Sequence, residues 1–279
     1  MKLKNAVNAL AIIGEWSAIA VLIFLNARLI SIPLALVSVF IIGSRFHALG
    51  ILMHEAAHFN LFSSAKWNDF AAQVFLCSPF LISLSSYRTS HILHHQFSLT
   101  ERDPTFTRKR GEPAFVFPKK SSRFFIWELA KIFFGYGIIL NLKDVARNSQ
   151  GQSKSKLKSI LIPIALIFTL AVLNYAGVLI WFFVLWLLPI FTVLPLLNYW
   201  RTICEHSAVS TPEPTRTVVY GMFSKWFLAP YNVNYHLEHH LFPKKPWYTL
   251  PAVHGQRPLG IEDGHVTNGL FNLWKEFVL

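Results

Sequence analysis

Nine of the chain's twelve histidines fall into a pattern that can bind metal. His54 and His58 are four apart, in His54-Glu55-Ala56-Ala57-His58. His91, His94 and His95 form His-x-x-His-His, and His236, His239 and His240 repeat it. His206 follows Glu205 in the gap between the last two groups. On a helix, positions i, i+3 and i+4 share a face, so each box presents its imidazoles in one direction. Imidazole binds iron, zinc, copper and nickel. Nine imidazoles exceed the four that a tetrahedral ion takes, and they suit two metal ions of higher coordination number. The two cysteines, Cys77 and Cys204, are too few for an iron–sulfur cluster or a four-thiolate zinc module. A carboxylate-bridged di-iron bundle needs two Glu-x-x-His pairs. Among the boxed histidines only His58 stands three residues after a Glu, Glu55, since Leu241 stands where a partner for Glu238 is needed.

His54-Glu55-Ala56-Ala57-His58 also satisfies the His-Glu-x-x-His pattern of zinc proteases. An intramembrane protease needs a third ligand, and the aspartates Asp69, Asp103, Asp144 and Asp263 all lie outside the apolar runs. That reading leaves six boxed histidines unexplained. Glu55 is expected instead to accept a hydrogen bond from a ligand imidazole and fix its tautomer. His47 lies seven residues before His54 on nearly the same helical face, where it could support the ligands; with His254 and His265 it is more simply a core or interfacial residue. A metal transporter is a remote alternative, because the last two apolar runs offer almost no polar path beyond Thr169, Thr192 and Asn198.

The elements that must carry these residues are apolar. The chain is 53% hydrophobic and 14% charged, against about 25% charged in a soluble domain. Four runs are candidate spans: 7–26, 32–53, 160–176 and 178–199. About 20 residues cross a bilayer, so the second and fourth fit comfortably and the third is short. Each pair is joined by a few residues and forms an antiparallel hairpin. The stretch 54–159 carries 15 Lys and Arg and the tail after Tyr199 carries 7, whereas the two short connections hold only Arg28. The positive-inside rule then puts both termini and the regions 54–159 and 200–279 in the cytoplasm. All three boxes and His206 meet at that membrane face. The net charge of +12 reads as topology and lipid attraction, not nucleic-acid binding. The first run is expected to be retained as a span, being longer than a signal-peptide core. Glu15 within it sits near the interface or packs against protein. Two further stretches, Phe70 to Tyr87 and Arg123 to Leu142, read as interfacial or partly inserted helices, although six crossings would keep the same parity. Lys143 to Ser159 reads as a polar linker. The expected fold is one all-α integral membrane domain over 1–279, with four transmembrane helices and a cytoplasmic helical cap holding the metal site.

The order of the three boxes resembles the membrane fatty acid desaturase and hydroxylase superfamily. Pro230-Tyr-Asn-Val-Asn-Tyr-His-Leu-Glu-His-His-Leu-Phe-Pro243 is similar to acyl-lipid desaturases, as are Arg201-Thr-Ile-Cys-Glu-His206 and Leu250-Pro-Ala-Val-His254. The resemblance runs from about Arg45 to His254. It implies a non-haem di-iron centre that activates O2, with His54, His58, His91, His94, His95, His236, His239 and His240 as ligands and His206 as the extra family histidine. Thr202 stands where some animal acyl-CoA desaturases have an Asn, so a water ligand held by that Asn is not implied here. The chain lacks the His-Pro-Gly-Gly of a fused cytochrome b5. Electrons are then expected from a separate ferredoxin or cytochrome b5-type protein. The implied reaction is desaturation of a fatty acyl chain held in an apolar tunnel, with Phe46, Trp186 and Trp200 as candidate walls. A hydroxylase or carotenoid ketolase-type monooxygenase on the same scaffold is the alternative, since Lys245-Pro246-Trp247 echoes the ketolases. Arg201 and Arg216 are candidates for a substrate headgroup, or for pairing with Glu205.

Overall fold

The computed structural model describes residues 2–140, 169–209, 214–256 and 264–279. The first apolar run forms α1 (Lys2–Leu29) and the second forms α2 (Ile32–Ala57). Ser31 caps α2 by accepting from the backbone N–H of Leu34, and Pro33 sits in its first turn, where its missing N–H costs nothing. α2 runs past the predicted limit of 53, so box one lies in its last turn. α3 (Ala65–Ala71) continues through a π turn (Ala72–Cys77) and a short 3-10 turn (Ser78–Phe80). The chain then bends by 95° into α4 (Leu84–Phe97), which carries box two. The apolar stretch 70–87 is therefore a bent pair of helices and not one straight span.

α5 (Pro104–Lys109) and α6 (Ser122–Lys131) follow. The latter continues through a π turn (Ile132–Tyr136) that kinks at Gly135, whose φ of 127° is open only to glycine. The predicted linker 143–159 and residues 160–168 of the third predicted span lie outside the described residues. Residues 169–175 are helical. The fourth predicted span is α7 (Leu179–Phe191) and α8 (Val193–His206), which meet at Thr192 and form a 28-residue apolar stretch. Among the described residues three helices are thus long and apolar enough to cross a membrane: α1, α2 and α7–α8.

The remainder holds a feature outside the all-helical expectation. β1 (Arg216–Val219) pairs in parallel with β2 (His265–Asn268), Arg216 opposite His265. Between them lie α9 (Met222–Leu228), α10 (His236–Leu241), which carries box three, and α11 (Leu250–Gly255). α12 (Gly269–Phe277) closes the chain. Two strands of four residues give too weak a pattern to read from sequence.

Two apolar cores flank the site. In one, Ile42, Phe46, Leu49 and Leu52 of α2 pack with Ile19 of α1, Leu76 and Leu185. In the other, Phe125, Ile203, Val218, Leu273 and Phe277 join α6, α8, β1 and α12. The outer faces of the spans remain apolar: Leu10, Ile13, Phe24 and Leu36 are exposed. That arrangement suits a lipid surround.

Candidate metal centre

α2 and α8 deliver His54, His58 and His206 from their last turns, α4 delivers box two, and α10 delivers box three. All nine predicted histidines come together, and they separate into two groups. His54, His58, His91, His95 and His239 form one; His94, His206, His236 and His240 form the other. Within each group the nearest ring nitrogens all lie within 4.8 Å of one another. The division follows helix geometry. His54/His58, His91/His95 and His236/His240 are i, i+4 pairs, about 40° apart around their helices, and each pair stays in one group. His94 and His239 sit at i+3, about 100° from the i+4 position, and each crosses to the other group. Box two and box three therefore each contribute to both groups.

The donor set fits metal ions. Nε2 of His91 lies 2.7 Å from Nε2 of His58 and 3.1 Å from Nε2 of His95. Nε2 of His239 is 3.1 Å from Nε2 of His95, and Nε2 of His236 is 3.1 Å from Nε2 of His206. Two imidazoles bound at about 2.1 Å and at right angles around one ion stand about 3.0 Å apart. His54 has both ring nitrogens buried without a hydrogen-bond partner, and an ion would take one of them. Orphaned nitrogens of this kind are costly unless something accepts their lone pairs. Four of the rings are also held neutral, as ligation requires. Burial, then the neighbouring imidazoles, pushes His236, His239 and His240 well below the ordinary histidine value, and His95 down to about 3.

An outer layer orients these rings. His94 Nδ1 is 2.8 Å from Asp103 Oδ2, and Asp103 also accepts from the backbone N–H groups of Leu99 and Thr105. Burial works against its charge, but these bonds win and hold its carboxyl below the usual value. His206 Nδ1 donates to the carbonyl of Pro214 at 3.0 Å. His236 Nδ1 lies 3.3 Å from Glu205, which Arg201 grips at 2.6 Å. Glu238, inside box three, bonds to Thr217 and His254 and so anchors α10.

Some expectations need correction, while Glu15 packs against protein and His47 is a core residue, as expected. Glu55 does not bond a ligand imidazole: its Oε1 is 4.0 Å from His54 Nδ1, and its Oε2 accepts the backbone N–H of Trp247. The exit loop of box three supplies that partner because it folds back over the end of α2. His47 bonds Asn198, 3.1 Å away, rather than a boxed histidine. Arg216 is buried, donating to the carbonyls of Cys204 and Ala208 and pairing with Glu276, so it does not face a headgroup. Glu15 is buried in an ion pair with Arg45 at 3.2 Å. Of the proposed tunnel aromatics, Phe46 and Trp186 pack edge to face at 4.9 Å, while Trp200 belongs to the other core, stacked near Phe125. His254 and His265 bond Glu238 and Glu276. Sequence reasoning missed Asp103 as a support for His94. Its signal was there: an Asp-Pro pair eight residues past the box starts a helix, so its carboxylate had to lie near the box.

Apolar spans and paired histidine clusters define a membrane protein with a histidine-built metal site. The chain belongs to the fatty acid desaturase family, whose model matches residues 30–263. It is 29% identical to dihydrorhizobitoxine desaturase of Bradyrhizobium elkanii over 266 residues, 88% of this chain and 74% of that protein. It is 24% identical over 240 residues to a putative sphingolipid delta(4)-desaturase/C4-monooxygenase of Caenorhabditis elegans, 84% of this chain but 61% of that longer protein.

Proposed function

We propose that this chain is a membrane-bound di-iron oxidase that uses O2 to introduce a double bond into a fatty acyl chain. The observation that supports it most is the gathering of nine imidazoles into groups of five and four, free of thiolates. In this reading one iron is held by His54, His58, His91, His95 and His239, the other by His94, His206, His236 and His240. When bound, the iron pair supplies the oxidising power to break an unactivated C–H bond, which side-chain acids and bases cannot do.

The protein's share is placement. Asp103 and the Pro214 carbonyl hold ring orientations; burial keeps the imidazoles of His95, His236, His239 and His240 uncharged; the apolar faces of α2 and α7 guide a hydrocarbon chain toward the site. Small displacements of the reacting methylene there cost rate steeply. The balance is one –CH2–CH2– unit plus O2, two electrons and two protons giving –CH=CH– and two waters. The electrons come from a separate ferredoxin or cytochrome b5-type protein. The whole chain acts as one domain of four spans, with a cytoplasmic cap that carries the boxes and with both termini on that side.

Monooxygenation on the same scaffold is the second reading, favoured by the C4-monooxygenase in the name of the Caenorhabditis relative. The test is gas chromatography–mass spectrometry of lipids from cells expressing the chain, beside a His94→Ala/His95→Ala control. A new double bond that vanishes in the control supports the desaturase. A hydroxylated product moves the reaction to the oxygenase branch, and no dependence on the two histidines overturns the metal-centre reading.

A further inference from the structure

The third histidine box rides on α10, a helix of six residues. So short a helix cannot hold its own orientation, and its flanking loops must do so. The entry loop places two successive non-glycine residues in the left-handed region, Tyr231 at φ 54° and Asn232 at φ 55°. Such backbone persists only where the surroundings over-determine it. Here they do. The Tyr231 hydroxyl donates to Glu15 Oε1 at 2.6 Å, deep in α1. Asn232 Nδ2 donates to the carbonyl of Trp247 at 3.0 Å, which ties the entry loop to the exit loop. The rings of Tyr231 and Trp247 meet edge to face at 4.9 Å. Trp247 donates its backbone N–H to Glu55 of α2 and its indole N–H to Asn8 of α1, both at 3.0 Å. Arg45 of α2 completes the bracket, pairing with Glu15 and donating to the carbonyl of Trp226.

We propose that Tyr231 and Trp247, which lie outside every histidine box, are positioning residues: with Glu15 they clamp the loops on both sides of α10 onto α1 and α2, and so set where box three meets box one. The clamp reaches Glu55, which lies between His54 and His58. Box three serves both histidine groups, through His239 in one and His236 and His240 in the other. Loosening the clamp therefore weakens both metals together, unlike loss of a support for a single ring. The inference rests on the metal centre proposed above.

The test uses the full chain in detergent, stripped of metal and titrated with Co2+, whose visible bands report coordination. Tyr231→Phe deletes one hydroxyl and leaves the Glu15–Arg45 pair. It is expected to keep its helix content while binding both Co2+ ions about tenfold more weakly, the size typical of a lost outer partner. The Co2+ bands shift as well. Asn232→Gly suits the left-handed backbone but deletes the bond to Trp247; it moves affinity and bands the same way and keeps the inference testable should Tyr231→Phe fail to fold. Tyr248→Phe, the same chemical change one residue past Trp247, leaves the titration unchanged. A Tyr231→Phe chain with wild-type Co2+ affinity and bands, even if it melts earlier, overturns the positioning role. A wild-type chain that binds no Co2+ overturns the metal centre itself, and this inference with it.

Discussion

Replacing Asp103 by Asn should weaken one metal and spare the other. Asp103 accepts three hydrogen bonds, from the His94 ring, the Leu99 N–H and the Thr105 N–H. An amide keeps one acceptor oxygen, which can still cap α5 at Thr105, since Asn caps as well as Asp. Its –NH2 must then face the Leu99 N–H and the His94 N–H, donor against donor. The unpaired buried donors cost about 1–3 kcal/mol. His94 loses the charged partner that fixes its tautomer, and removal of such a partner costs metal affinity about 10- to 100-fold, or about 1.4–2.8 kcal/mol. His94 belongs to the four-histidine group. In a Co2+ titration of the metal-free chain, the phase absent from a His206→Ala variant identifies that group. Asp103→Asn should shift this phase and leave the other in place. An unchanged titration, or equal weakening of both phases, refutes the reasoning that Asp103 acts through His94.

Three further outcomes follow from the geometry. His236, His239 and His240 are held well below the ordinary value of 6.5, so the unfolded chain takes up protons first as pH falls. The metal-free protein should keep its full stability above pH 6.5 and lose it below, by up to about 1.4 kcal/mol per unit for each ring; a melting midpoint flat between pH 7.5 and 5.5 contradicts this. Arg45→Met leaves Glu15 buried with the Tyr231 hydroxyl but no countercharge, a loss of about 3–5 kcal/mol, and Arg45→Met/Glu15→Gln should regain most of it in detergent melts. A Cβ at Gly43 would stand 2.4 Å from Cβ of Val193, so Gly43→Ala should push α2 off α8 and cost about 1–3 kcal/mol of thermal stability, whereas Gly50→Ala, with open space, should not.

Much of the site was legible because its signals are local. The spacing within each box is a property of one helix turn, and the apolar runs are a property of composition, so the nine histidines and the first, second and fourth spans could be read directly. Helix ends were less legible: α2 extends to Ala57 because its last turn is buried against protein rather than exposed to lipid headgroups. The partners of Glu55, Glu15 and Arg216 were beyond reach, since they come from residues 192, 30 and 60 positions away in the chain.

The sequence by itself determined which side chains could bind metal and which segments are apolar, because imidazole chemistry and hydropathy depend only on residue type and near spacing. Only the tertiary structure decided that the histidines part into five and four. It alone decided that Asp103 supports His94, and that Trp247 and Tyr231 tie box three to the spans. Those choices depend on the angles at which α2, α4, α8 and α10 meet, and such angles are set by packing between elements far apart in the chain.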